Sequence, residues 1–165
     1  MLTHPTLDKL RSMRLTGMAN AFSEQLSKPL SDLDFESRLG LLVEQEWFLR
    51  ENRRLKRLLG NAKLQQQAAC MENIDYHHPR KLNKATVLEI AQCRWVEQHL
   101  NIFITGPTGC GKTYLACAFA HKACLQGFTS RYYRLPRLWH ELKAAKAEGS
   151  FTGWLSKTAK IDVLI

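Results

Sequence analysis

The chain has 165 residues, 45% hydrophobic and 24% charged, and a formal net charge of +9. That length suits one full domain or a small module joined to part of another, and the composition excludes a disordered or fibrous chain. No apolar run approaches the roughly 18 residues that cross a bilayer, and the opening MLTHPTLDKLRSMRL has no apolar signal core, so neither a membrane partner nor secretion is expected.

The first part reads as helical. Leu15, Met18, Ala19, Phe22 and Leu26 share one helical face. Gly17 weakens that helix, Lys28-Pro29 ends it, and Ser31 to Asp34 offers N-caps for the next one. A long helix is predicted from about Phe35 to Gln67, rich in Leu, Glu, Arg and Gln. Leu41, Phe48 and Leu55 recur every seven residues, with Leu42, Leu49 and Leu59 alongside, an apolar stripe for packing or for a partner helix. Arg50, Arg53, Arg54 and Arg57 also share a face. They are candidates for following a DNA phosphate backbone, or for a solvated face ion-paired with Glu46 and Glu51.

Residues 70–84, CMENIDYHHPRKLNK, turn polar around Pro79 and read as a linker. The predicted organisation is a helical module over 1–69, this linker, and a second domain over 85–165. A helix is predicted from Ala85 to about His99, with Val87, Leu88, Ala91, Trp95 and Val96 as its apolar face. Asn101–Thr105 reads as a strand, Thr113–Gln126 as a helix stopped by Gly127, and Phe128–Arg134 as β-like. A helix begins near Pro136 and ends at Gly149. Gly153 to Lys160 bridges to a last strand, Ile161–Ile165. The order β-α-β-α-β implies an α/β fold with a parallel sheet between helical layers.

Two composition features frame the chemistry. Five cysteines (Cys70, Cys93, Cys110, Cys117, Cys124) form an odd set with no CxxC pair. That argues against a disulfide framework or zinc ribbon and fits a reducing cytoplasm. Residues 1–75 hold 11 Lys and Arg against 10 Asp and Glu, whereas residues 76–165 hold 13 against 5. A basic C-terminal part suits a polyanionic partner, nucleotide or nucleic acid.

Gly106-Pro107-Thr108-Gly109-Cys110-Gly111-Lys112-Thr113 matches G-x-x-x-x-G-K-[ST] at every fixed position, after a predicted strand and before a predicted helix. Glycines let such a loop turn its amides inward around a β-phosphate, and the following helix adds its positive end. Lys112 supplies a cation for the β- and γ-phosphates of ATP, and the Thr113 hydroxyl is placed to ligate Mg²⁺. Cys110 fills a variable position; Cys117 and Cys124 read as core. Hydrolysis further needs a carboxylate just after the Ile161–Ile165 strand, which this chain does not reach. Asp162 opens that strand and is not expected to serve.

The helical N-terminal part, the Arg94-Trp95 helix, NIFITGPTGCGKT, and LKAAKAEGS followed by KIDVLI together resemble the IstB-like transposition helper ATPases. These are relatives of the DnaC helicase loader in the AAA+ class of P-loop NTPases. The resemblance implies an ATP-dependent partner of an insertion-sequence transposase that binds DNA, forms homo-oligomers on it and helps choose the target. Only Gly106 to Thr113 carry over residue by residue. The family's acidic pair and arginine finger would fall past Ile165, so the chain reads as the N-terminal portion of a longer protein with an incomplete sheet, without ATP turnover. A helicase-loader-like replication factor, or a remnant keeping only its helical module, are the other readings.

Overall fold

The computed structural model describes residues 4–28, 33–78, 80 and 82–165. Pro29, Ser31, Asp32 and Pro79, given roles above as helix stop, caps and linker centre, lie outside the described residues. The chain divides into two compact units, Met1–Arg54 and Leu55–Ile165.

The described elements of the first unit are all helices. Helix α1, Pro5–Ser12, was not singled out by periodicity, but its start follows local rules: His4 accepts the Thr6 amide and Pro5 sits in the first turn. Helix α2, Thr16–Ser27, carries the predicted face, with Ala19 buried, Met18 and Phe22 half-buried and Leu26 exposed. Helix α3, Phe35–Ala62, starts where Asp34 Oδ1 accepts the Ser37 amide at 3.2 Å. Gly17 does more than weaken α2. A Cβ there would lie 2.7 Å from Gln45 O and Glu46 Cα, so only glycine lets the two helices approach this closely. Of the apolar stripe on α3, Leu41 and Phe48 are exposed, and Leu42, Leu49, Leu55 and Leu59 are half-buried.

Helix α3 stops five residues before the predicted Gln67. Lys63 takes a left-handed φ of 47° and Leu64 is buried. The helix's last carbonyls find new donors: Asn61 O accepts from Arg131 Nη1 at 2.9 Å and Ala62 O from the Tyr132 amide at 2.8 Å. Tertiary partners therefore replace another turn of helix.

The second unit is organised on helix α6, Lys112–Leu125, whose Cys117, Ala118, Phe119, Ala120 and Cys124 are buried. Around it pack Leu58 and Ala62 of α3, together with Val87 and Ala91. Residues 70–84, expected as a linker, supply Met71 and Ile74 to this core. The predicted Ala85–His99 helix is two helices, α4 Lys84–Ile90 and α5 Arg94–Glu97. Cys93 between them has φ 59°, and Trp95 Nε1 donates to Ile90 O at 2.9 Å across the break. Helix α6 closes on Gly127, φ 93°, with Gly127 N–H donating to Cys124 O and Phe128 N–H to Ala123 O, the paired bonds of a glycine-ended helix.

The sheet is smaller than predicted. Strand β1, Ser130–Arg131, pairs in parallel with strand β2, Val163–Leu164, in the register Ser130↔Val163 and Arg131↔Leu164. Among the described residues Asn101–Thr105 joins no ladder, so the first of three expected strands is absent from the sheet. Between the strands lie α7, Leu135–Ala147, with Pro136 in its first turn and Gly149 beyond its end, and α8, Phe151–Thr158. Helix α8 replaces the predicted bridge. Gly153 hid it, although Phe151, Trp154, Leu155 and Thr158 keep helical spacing. No described helix is long and apolar enough to cross a membrane.

Candidate functional site

The loop Gly106–Gly111 leads directly into α6, and its glycines adopt backbone that side chains disfavour. Gly109 has φ 82°, and Gly111, the N-cap of α6, has φ 89°. Among the described residues, the amides of Gly109, Gly111, Lys112 and Thr113 donate to no protein acceptor. A helix N-terminus normally finds caps for such groups. Here they remain available in a glycine-rich turn at the positive end of a 14-residue helix, the arrangement that binds anions.

The motif's side chains collect around the same loop. Lys112 Nζ reaches back to Gly106 O at 2.9 Å and Pro107 O at 2.7 Å, and lies 4.0 Å from Cys110 Sγ. The ammonium is thus held inside the turn. All eight positions from Gly106 to Thr113 were candidates; Gly106, Pro107, Thr108, Gly109, Cys110, Gly111 and Lys112 line one cavity of about 510 Å³. Thr113 is the next residue along α6, at its second position. Ile74, Leu82, Ile104, Tyr114 and Leu115 give the cavity an apolar wall. No acidic residue is among the described lining residues.

Sequence reasoning missed what residues 70–84 bring. His78 and Arg80 line the cavity, and Arg80 Nη1 donates to Cys110 O at 3.2 Å. This polar, proline-centred segment was read for its composition; its basic residues from His77 to Lys84 were the available signal.

Asp162 stays out of this cavity. Its Oδ2 accepts from the Thr129 amide and from Thr129 Oγ1, both at 2.7 Å, and so pins the start of β2 to the residue before β1. Cys117 and Cys124 are core residues, as expected; burial pushes the Cys124 thiol above its ordinary range.

The arginine row of α3 is put to several uses. Arg50 Nε donates to Glu46 Oε1 at 2.7 Å, and Arg53 Nη2 to Thr16 Oγ1 at 3.0 Å. Arg54 Nη1 lies 3.7 Å from Glu51 Oε1. Arg57 is exposed. Glu46 is buried, and its other oxygen accepts the Gly17 and Met18 amides at 2.7 and 3.3 Å. Burial alone would raise its carboxyl, but the Arg50 guanidinium and the two amides outweigh it and hold the group below its ordinary 4.5. Arg53 therefore ties α3 to α2 directly, and Arg50 does so through Glu46.

Comparison with known proteins gives one family. The model of the IstB-like ATP binding protein family matches residues 8–165. The chain is 45% identical over 166 aligned residues to the "Insertion sequence IS1162 putative ATP-binding protein" of Pseudomonas fluorescens, covering 100% of this chain and 72% of that one. It is 43% identical to the "Putative insertion sequence ATP-binding protein y4pL" of Sinorhizobium fredii, covering 100% and 67%. Against the "Insertion sequence IS21 putative ATP-binding protein" of Pseudomonas aeruginosa, identity is 30%, covering 96% and 59%.

Proposed function

The chain belongs to the IstB-like ATP binding protein family, and on that premise we propose that it is the ATP-binding helper of an insertion sequence, gripping the nucleotide's phosphates with the loop Gly106–Thr113. The observation that carries the reading is the set of unclaimed amides at Gly109, Gly111, Lys112 and Thr113, gathered with Lys112 at the head of α6. An anion with several oxygens satisfies that set at once. Mg²⁺ would be held by the Thr113 hydroxyl and the phosphate oxygens, and it would neutralise charge on the phosphate tail.

Binding and turnover separate in this site. A water nucleophile needs a carboxylate or equivalent group to place it, and the described cavity lining supplies none. The 165-residue polypeptide therefore binds MgATP without hydrolysing it. Calorimetric titration with MgATP beside a phosphate-release assay tests both halves. Retention of ATP without release is the expected result, and turnover that disappears in Lys112→Ala would refute the separation.

The partners follow from the same premise. Relatives named for insertion sequences support a transposase of the same element as a partner; its target DNA, and homo-oligomer assembly on it, complete the proposal. The +8 excess of residues 76–165 favours a polyanion there, whereas Arg50 and Arg53 already serve the first unit. Pull-down against the element's transposase and against a replicative helicase distinguishes this role from a loader of helicases; capture of the helicase alone would reassign it.

A further inference from the structure

The geometry points to Arg80 as a second phosphate-binding cation, outside the loop motif, which pairs with the nucleotide through its planar fork of N–H donors. The inference rests on the nucleotide reading above and adds a residue to that site.

Three observations carry it. The first is position. Arg80 lines the same cavity as the loop, and its Nη1 would lie 2.7 Å from a Cβ on Gly111, so the guanidinium rests directly against the cradle's backbone. The second is incomplete satisfaction. Nη1 donates to Cys110 O at 3.2 Å and Nη2 to Asp75 O at 2.6 Å, both neutral carbonyls. Nε is buried with no partner among the described residues. Buried donors without acceptors are rare in native structures and call for a reason. The third is charge. The Asp75 carboxylate is turned to His77, where Oδ1 accepts the amide at 2.8 Å, so Arg80 forms no ion pair with it. Arg80 and Lys112 thus bring two positive charges to one cavity whose described lining holds no acid.

A purely structural clamp accounts for the first observation and leaves the other two. Two neutral carbonyls are poor partners for a guanidinium, which bonds most strongly in bidentate fashion to carboxylate or phosphate. A phosphate oxygen pair offers the charged acceptors that the arrangement lacks. Because Arg80 bonds Cys110 O, binding would also tie residues 70–84 to the loop's occupancy.

The test compares Arg80→Gln and Arg80→Lys with Arg94→Gln, an exposed arginine away from the cavity. Calorimetry with MgATP, MgADP and adenosine reads affinity, and a melt without nucleotide reads folding. We expect Arg80→Gln to weaken MgATP and MgADP by roughly tenfold, leave adenosine unchanged and keep the melting midpoint, because a charge-assisted contact to phosphate is lost. Arg80→Lys keeps charge without the fork and should lose roughly threefold, which decides the matter if Arg80→Gln does not fold. Arg94→Gln should match the wild type. Wild-type phosphate affinity in Arg80→Lys or in folded Arg80→Gln, or an equal loss for adenosine with a lowered melt, would overturn the assignment. If the wild type itself binds no nucleotide, the loop reading fails first.

Discussion

Two helices in this chain begin beside a glycine and a cluster of amides, and they end up with opposite roles. At the start of α2, the Gly17 and Met18 amides both donate to the buried Glu46 carboxylate. At the start of α6, the Gly111, Lys112 and Thr113 amides find no protein acceptor among the described residues. Both termini present the same positive end to an anion. In the first unit the anion is built in and welds two helices together. In the second, on the proposed reading, it is supplied from outside, and Lys112 is the cation that would pair with it as Arg50 pairs with Glu46. On the proposed reading, a helix start becomes a binding site when the fold withholds the internal acceptor.

Removing the built-in anion should have the largest effect. Glu46→Ala strands two amides and Arg50, and should cost about 3 kcal/mol of first-unit stability, read by urea melts with a helix signal. The same carboxylate sets a pH dependence. Its pKa in the fold lies below the ordinary 4.5, so its contribution is complete above that value and is lost as pH falls through the lowered one. Glu46→Gln should flatten the acid limb of stability; an unchanged limb would place the acid sensitivity elsewhere.

At the other terminus, Lys112→Ala should leave folding intact and weaken MgATP by about 2 kcal/mol, roughly thirtyfold. Equal affinity in the variant would show that the ammonium holds only Gly106 O and Pro107 O. A smaller and sharper contrast lies among the helix glycines. Gly17→Ala would drive a Cβ to 2.7 Å from the α3 backbone and should cost at least about 1 kcal/mol. Gly40→Ala, with nothing within 4 Å of its Cβ, should stabilise α3 by about 0.5–1 kcal/mol. Equal effects at the two positions would refute the close approach.

The two regions also differ in how much the sequence disclosed. The position of the glycine loop at the head of a helix was legible, because its spacing is dictated by local backbone geometry and by the helix it opens. Helix α6 and its Gly127 stop were legible for the same reason. Glu46 was visible only as a neighbour of the arginine row, since its function depends on α2 lying against α3, a contact 29 residues away. Arg80 was hidden likewise, reaching Cys110 across 30 residues. The sheet was overread. An apolar run at Asn101–Thr105 satisfies strand preference, but pairing needs a neighbour, and β1 and β2 pair with each other. Local rules located the elements that close on themselves; partners far along the chain decided the rest.

The most direct test of the central claim follows the loop amides themselves. Backbone NMR of the 165-residue chain, titrated with MgADP and then MgATP, reads Gly109, Gly111, Lys112 and Thr113 individually. These four resonances should move most and saturate together with calorimetric binding. Saturable binding that leaves all four in place would mean that the nucleotide is held elsewhere.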